Sequence, residues 1–116
     1  MSLHFSTKEL SCKCCGTGGD TMNPALITLL EAIRVKLDAP ITVLSGHRCP
    51  AHNKECGGAK ASQHLLGNAV DIRTVKMTPH AFHDWIEEHF NPKGLGSYKT
   101  FTHIDVRPGD RSRWVG

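Results

Sequence analysis

The sequence has no long apolar run, few aromatic residues and no dense stretch of positive charge. No segment approaches the roughly 18–20 consecutive apolar residues that a membrane-spanning helix needs. Aromatic residues make up 6% of the chain, and Lys and Arg are scattered except at Arg107, Arg111 and Arg113. Nucleic-acid-binding domains usually combine a basic stripe with aromatic platforms. We therefore predict a protein that binds neither membranes nor nucleic acids.

The start of the chain also lacks the features of a secretory signal. Residues 1–5 carry neither a basic head nor an apolar stretch, so we expect synthesis in the cytoplasm unless a targeting segment precedes this chain. The 116 residues are 39% hydrophobic and 22% charged, which is ordinary for a globular protein. This length predicts one domain over residues 1–116, which we expect to be monomeric.

Histidine and cysteine, by contrast, are abundant. The chain holds eight His and five Cys, which favours a metal site before any motif is considered. The cysteines form two groups, one of Cys12, Cys14 and Cys15 and one of Cys49 and Cys56. A disulfide between the groups and a second, structural metal site are both open interpretations. The odd count leaves at least one thiol unpaired in a disulfide arrangement.

Local patterns predict a small α+β domain. Ser6 and Glu9 form a capping box that opens a short helix. Asn23-Pro24 and Thr78-Pro79 open two longer helices, each with proline at the first helical position. Apolar and β-branched runs predict strands at residues 41–44, 68–72, 95–98 and 101–106, the last two as a hairpin. We expect a mainly antiparallel sheet with the helices on one face.

Residues that carry chemistry lie in two of these regions. Between residues 62 and 71, His64 is predicted in a loop, Gly67 permits an unusual turn, and Asp71 lies on a strand, pointing away from the core. On the last predicted strand, alternation puts His103 and Asp105 on one face. If the two strands pair, His64, Asp71 and His103 can meet around one ion. Two imidazoles and a carboxylate, with a fourth position open to water, are a common catalytic zinc arrangement.

These motifs resemble a known family. The pattern Ser-x-His-x-x-Gly-x-Ala-x-Asp at residues 62–71 resembles the signature of the zinc D-alanyl-D-alanine carboxypeptidases. That family includes cell-wall DD-peptidases, vancomycin-resistance dipeptidases and phage endolysins, and its fold is shared with the hedgehog signalling domain. Residues 45–50, Ser-Gly-His-Arg-Cys-Pro, and residues 101–106, Phe-Thr-His-Ile-Asp-Val, resemble two further family segments. The resemblance runs from about Phe5 to Arg107.

The resemblance implies roles for particular residues. It makes His64, Asp71 and His103 the zinc ligands. Arg48 would orient the substrate and support the developing oxyanion, a role that suits a permanently charged donor fork. Ser62 and Gln63 would bind substrate beside the metal, with Ser62 also forming a hydrogen bond near His64.

One position departs from the family pattern. Relatives usually place an acid three residues before the last His as general base, and here that position is Thr100. Asp105 is the nearest substitute carboxylate on the same strand face as His103, so we predict Asp105 as the base. A second alignment, in which Asp105 is itself a ligand and His103 its neighbour, remains open.

The favoured function is a zinc-dependent peptidase that hydrolyses bonds involving D-amino acids in peptidoglycan stem peptides. It would act at the cell wall as a carboxypeptidase or endopeptidase, in the manner of a phage or prophage lysin. One alternative is a non-catalytic zinc-containing binding module of the same fold, since Thr100 replaces the usual acid. A zinc domain built on the cysteines is a third interpretation, but it needs two C-x-x-C pairs, and Cys49 and Cys56 do not have that spacing.

Overall fold

In the part of the chain that the structure describes, three helices form where the sequence supplies capping side chains. The computed structural model describes residues 4–12, 16, 18–19, 22–49, 63–64 and 67–116. Within these residues the helices are α1 (Thr7–Leu10), α2 (Pro24–Leu37) and α3 (Pro79–His89). None of the helices described is long and apolar enough to cross a bilayer.

Each helix begins at the residues that the sequence indicates. Ser6 Oγ accepts a hydrogen bond from the Glu9 backbone at 3.1 Å, and Glu9 Oε1 accepts one from the Ser6 backbone at 3.0 Å. The side chains of Asn23 and Thr78 accept hydrogen bonds from backbone N–H groups in the first turns of α2 and α3. These contacts satisfy donors that a helix N-terminus leaves unpaired. The predicted capping box and helix starts are confirmed.

The described residues contain one five-stranded sheet. Its strands are β1 (Thr42–Ser45), β2 (Ala69–Arg73), β3 (Gly94–Ser97), β4 (Thr102–Asp105) and β5 (Ser112–Val115), in the order β1-β2-β4-β3-β5. All neighbours pair antiparallel except β3 and β5, which are parallel. The predicted α+β class, the mainly antiparallel sheet and the β3–β4 hairpin are confirmed. Strand β5 was not predicted.

The strand register sorts side chains onto two faces. Val70 pairs with Ile104, which pairs with Leu95, and all three are fully buried on the helix side. The next row, on the other face, runs Asp71, His103, Gly96 and Trp114 across β2, β4, β3 and β5. One face of the sheet therefore packs on the helices, and the opposite face carries the polar side chains.

The hydrophobic core lies between the sheet and the two longer helices. Helix α2 contributes apolar residues at three- and four-residue spacing, as a helix with one buried face does, and α3 contributes two large side chains. These core side chains are Leu26, Leu30, Ile33 and Leu37 from α2, and Phe82 and Ile86 from α3. The core fixes the sheet from one side and leaves the other side for chemistry.

Two valines test this division. Val70 is fully buried and Val75 is 97% exposed. We expect Val70→Ala to lower the free energy of unfolding by about 2 kcal/mol through lost burial and a residual cavity, whereas Val75→Ala should change it by less than about 0.5 kcal/mol. Urea unfolding in the presence of a chelator measures both. Equal effects of the two substitutions would contradict the assigned core.

Candidate metal centre

Three side chains converge on the polar face of the sheet. His64 Nε2 lies 3.2 Å from Asp71 Oδ1, and His103 Nδ1 lies 2.9 Å from the same oxygen. One ligand atom from each of the three residues lies within 4.8 Å of the others, and all three residues are buried. Among the described residues, no other group of three His, Cys, Asp or Glu side chains meets this condition. The structure thus brings together the three ligands that the sequence indicates.

Backbone contacts hold His64 in place. Gly67 has a positive φ of 71°, so the turn after His64 uses the left-handed geometry that glycine tolerates. His64 Nδ1 lies 2.8 Å from the Gly46 carbonyl oxygen, and the Arg48 N–H donates to the His64 carbonyl at 3.2 Å. Since a carbonyl only accepts, Nδ1 carries the proton and Nε2 presents its lone pair towards Asp71.

The partners of His103 fix the opposite tautomer. Its Nε2 lies 2.7 Å from Asp105 Oδ2, and its Nδ1 faces Asp71. An ionised carboxylate only accepts, so Nε2 donates to Asp105, and in the neutral ring Nδ1 is then the nitrogen with a lone pair for a metal. Each imidazole therefore presents its unprotonated nitrogen to the same point, and each has its other nitrogen satisfied by the protein.

This donor set fits a divalent metal ion. Tetrahedral zinc with bonds of about 2.0–2.1 Å sets its ligand atoms about 3.3 Å apart. The observed separations of 3.2 and 2.9 Å from Asp71 Oδ1 are close to that value. Two neutral imidazoles and one carboxylate, each backed by the tautomer-fixing contacts that metal ligands usually have, can hold such an ion.

Charge at the site is balanced by close contacts. Burial raises the pKa of Asp71, but the contacts with His103 and His64 outweigh it and hold that pKa at about 2. Burial lowers the pKa of His103, yet the carboxylates of Asp105 and Asp71 raise it above 6.5. Asp71 is therefore ionised throughout the neutral range, and His103 binds a proton strongly when no metal competes for it.

Arg48 lies at the edge of this group. Its Nη2 donates to Asp71 Oδ2 at 3.2 Å, and its Nε donates to Ser45 Oγ at 3.1 Å. Ser45 ends β1 beside Asp71 in the strand register, so the end of this strand carries Arg48 to the metal centre. The position suits the substrate-orienting role that the sequence predicts, which stays a prediction.

Asp105 lies behind His103, away from the converging ligand atoms. It is fully buried, and its two oxygens accept hydrogen bonds from His103 and Arg107. The two nitrogens of an imidazole point in different directions, so the His103 ring separates Asp105 from Asp71. This geometry gives no support to Asp105 as general base, nor to the second alignment in which Asp105 is a ligand.

The remaining predicted residues are only partly placed. Ser62 lies outside the described residues, so its predicted role stays a prediction. Gln63 is half-buried and accepts hydrogen bonds from Asn68 through both its carbonyl and its side chain, at 3.0 and 3.1 Å, which braces the turn after His64. This contact leaves its substrate-binding role untested.

The two cysteine groups meet at one described contact. The Cys49 N–H donates to Cys12 Sγ at 3.4 Å. Cys14, Cys15 and Cys56 lie outside the described residues. A disulfide and a second metal site therefore both remain open interpretations of these groups.

Several residues at the site had no role there predicted from the sequence. Arg107 holds Asp105, and Trp114 lies against the His103 ring with centroids 5.0 Å apart. Gly94 and Gly96 leave the space beside β4 that these groups use. The alternating glycines of β3 were the available signal, since glycine in a strand often marks a close approach.

The comparisons with known proteins agree with this geometry. The model of the family described as peptidase M15 matches residues 3–105, which is most of the chain. The chain belongs to the peptidase M15 family. The resemblance inferred from the sequence is thereby confirmed, and membership in this family of metallopeptidases supports a peptidase. The match includes Arg48, His64, Asp71 and His103. No curated protein matches the chain.

Single substitutions test the ligand set. We expect His64→Ala, Asp71→Ala and His103→Ala each to abolish stoichiometric metal binding, because each removes one of three protein ligands. His83→Ala on α3 is the matched control and should bind metal normally. Metal content per chain, measured by mass spectrometry after dialysis, gives the result. If Asp71→Ala and His103→Ala both keep full occupancy, the ligand set is wrong.

Proton competition makes a second prediction. A metal binds only deprotonated ligands, and the pKa of His103 is raised above 6.5 by Asp105 and Asp71. Affinity should therefore be highest at alkaline pH and fall as pH drops through the raised pKa, at higher pH than for an ordinary imidazole near 6.5. Titration with a competing chelator between about pH 8 and pH 5 measures it. A constant affinity over this range would exclude His103 as a ligand.

Proposed function

We propose that the protein is a zinc-dependent peptidase that hydrolyses bonds next to D-amino acids in the stem peptides of peptidoglycan. The observation that carries the proposal is the convergence of His64 Nε2, His103 Nδ1 and Asp71 on one point, with Arg48 beside them. The donor set supports zinc as the metal, because two imidazoles and one carboxylate with a further open position are typical of catalytic zinc.

The ion and the protein would have different roles in hydrolysis. Zinc at such a site supplies Lewis-acid polarisation of a carbonyl and lowers the pKa of water towards about 7. His64 and His103 would hold the ion through their unprotonated nitrogens, because the Gly46 carbonyl and the Asp105 carboxylate accept hydrogen bonds from the other ring nitrogens. The protein thus presents ligands that need no reorganisation on metal binding, which favours catalysis by preorganised charge.

Arg48 would recognise the anionic part of the substrate. Its guanidinium lies against the outer oxygen of Asp71, so it is within reach of a carbonyl or a terminal carboxylate held at the metal. Arginine keeps its charge at every working pH and offers a planar donor fork that matches a carboxylate. Stem peptides carry such carboxylates, and the resemblance to D-alanyl-D-alanine carboxypeptidases supports this substrate class.

The place of action follows from the substrate. We propose that the protein works at the cell wall, as phage endolysins of the resembled family do. A carboxypeptidase and an endopeptidase remain alternatives within this proposal. The substrates of both would place a D-amino acid and a carbonyl beside the metal and Arg48.

Digestion of purified peptidoglycan tests the proposal. We expect mass spectrometry to detect new stem-peptide ends, and the mass of the released fragment identifies the bond. Dialysis against a chelator should abolish the reaction, and added zinc should restore it. His64→Ala should be inactive and His83→Ala active. Activity that survives complete removal of the metal would overturn the proposal.

A non-catalytic binding module is the second candidate. It is favoured by one observation, which is that no carboxylate among the described residues joins Asp71 in the ligand group as a ready proton acceptor. Zinc-loaded protein that binds peptidoglycan in a pull-down but releases no peptide would select this candidate.

Arg48 gives a separate prediction. We expect Arg48→Met to bind zinc but to lose turnover by about 10²-fold or more, the usual cost of removing one donor to a developing oxyanion. Arg73→Met, at the exposed end of β2, is the control and should be fully active. Steady-state rates on a muropeptide at matched zinc loading measure the difference. Normal turnover in Arg48→Met would remove Arg48 from the mechanism.

A further inference from the structure

A line of charged contacts runs behind the metal centre. Arg107 donates to both oxygens of Asp105, from Nε at 2.8 Å and from Nη2 at 2.6 Å, and its backbone N–H adds a third contact at 3.2 Å. Asp105 in turn accepts from His103 Nε2 at 2.7 Å. We name this line the Arg107–Asp105–His103 relay. It ends at His103 Nε2, whereas the other ring nitrogen, Nδ1, faces Asp71.

The relay places an ionised carboxylate where water does not reach. Asp105 is 0% exposed, and a buried charge is costly unless it is paired and hydrogen-bonded. Burial raises the pKa of Asp105, but the hydrogen bonds from Arg107 and His103 outweigh it and hold this pKa well below its ordinary range. Well-packed apolar residues often stabilise a fold as much as a buried ion pair does. Stability alone is therefore a weak reason for the relay.

A slot in the neighbouring strand receives the Asp105 carboxylate. Gly94 pairs with Asp105 in the sheet, and a Cβ atom at Gly94 would lie 2.1 Å from both carboxylate oxygens. Any side chain at this position would push the carboxylate away. The glycine thus makes room for the one conformation in which Asp105 reaches both His103 and Arg107.

Trp114 covers the relay from the adjacent strand. Its ring lies 5.0 Å from the His103 ring and 5.0 Å from the Arg107 guanidinium carbon. A Cβ atom at Gly96 would lie 2.5 Å from the Trp114 ring, so the second glycine of β3 allows this approach. Trp114 Nε1 also donates to Tyr98 Oη at 2.8 Å, which fixes the ring. This cover shields part of the relay from water, which strengthens the electrostatic contacts beneath it.

We propose that Asp105 is a positioning residue, which fixes His103 as an Nδ1 metal ligand and is itself held by Arg107 in the Gly94 slot beneath Trp114. Asp105 then has a role other than that of the general base. A ring held only by its own side-chain torsions can present either nitrogen, whereas a partner at Nε2 fixes the tautomer, the orientation and the basicity of Nδ1. The inference rests on the metal site of the proposed function but on no particular substrate.

The first test measures metal affinity directly. Asp105→Asn removes the negative charge and replaces one acceptor oxygen with an NH2 group. This group only donates, so it cannot accept from either His103 Nε2 or Arg107 Nε, whichever of the two it faces. We expect zinc affinity to fall about 10- to 100-fold, the usual effect of losing a partner of a metal ligand. The visible absorption bands of the cobalt-substituted protein should shift, because the His103 ligand changes orientation. Competition with a chromophoric chelator gives the affinity, and Asp110→Asn is the exposed control that should behave as wild type.

The second test leaves the ligands and Asp105 unchanged. Arg107→Met removes the fork that holds Asp105 and should also weaken zinc binding, by less than Asp105→Asn does. Because both residues act through His103, the double variant should lose no more affinity than Asp105→Asn alone. Arg111→Met, an exposed arginine in the same connection, is the matched control. Circular dichroism of the metal-free variants verifies that each is folded.

A third variant displaces Asp105 by sterics alone. Gly94→Ala adds a methyl group where the carboxylate lies and changes no charged or ligating group. We expect a loss of zinc affinity similar to that of Asp105→Asn, with the same change in the cobalt spectrum. This variant keeps the inference testable if Asp105→Asn does not fold.

The outcomes separate the possible roles of Asp105. Unchanged zinc affinity and cobalt spectrum in Asp105→Asn or in Gly94→Ala would overturn the inference, and an accompanying loss of turnover would restore Asp105 as general base. If Asp105→Asn loses the metal completely and Arg107→Met binds it normally, Asp105 is a ligand, and the inference is overturned as well. Failure of the wild-type protein to bind zinc would instead refute the proposed function.

Discussion

The pairing of β2 with β4 is the constraint on which the rest of the site depends. It sets Asp71 opposite His103 on one face and Val70 opposite Ile104 on the other. A slip of one residue would turn each side chain to the opposite face, sending the carboxylate into the core and an apolar side chain to the metal site. The buried row of Val70, Ile104 and Leu95 against α2 and α3 prevents that slip. The hydrophobic core therefore specifies the position of the ligands although it contains none of them.

Acidic groups alternate with cations and imidazoles on the polar face of the sheet. Asp71 lies between two imidazoles and Arg48, and His103 lies between Asp71 and Asp105, which in turn contacts Arg107. Each buried acid is thus next to a cation or a hydrogen-bond donor, as burial of charge requires. The same order leaves one lone pair on each imidazole directed at Asp71. A divalent ion would bind to those lone pairs without moving the surrounding partners, and so metal binding and folding should be coupled.

Local signals in the sequence were enough to predict most of the fold. Capping side chains and prolines marked the starts of the helices, and short segments with apolar or β-branched residues predicted four strands within one or two residues. Strand β5 was missed because its four residues, Ser112–Val115, have no long apolar run and depend on parallel pairing with β3. The roles of the clustered arginines could not be predicted from the sequence either. Arg107 pairs with Asp105 inside the sheet, and Arg113 pairs with Glu87 on α3.

What the sequence by itself determined is the identity and spacing of the candidate ligands. The turn at Gly67 and the period-two alternation of two strands bring His64, Asp71 and His103 together once those strands pair, and both signals are local. The tertiary structure alone decided the role of the neighbouring groups. Alternation places Asp105 on the same face as His103, but which nitrogen of the ring it meets depends on Gly94, Arg107 and Trp114, which are brought there by strands and connections elsewhere in the chain. Hydrogen bonds between side chains are set by atomic distances across the sheet, and strand periodicity specifies only the face.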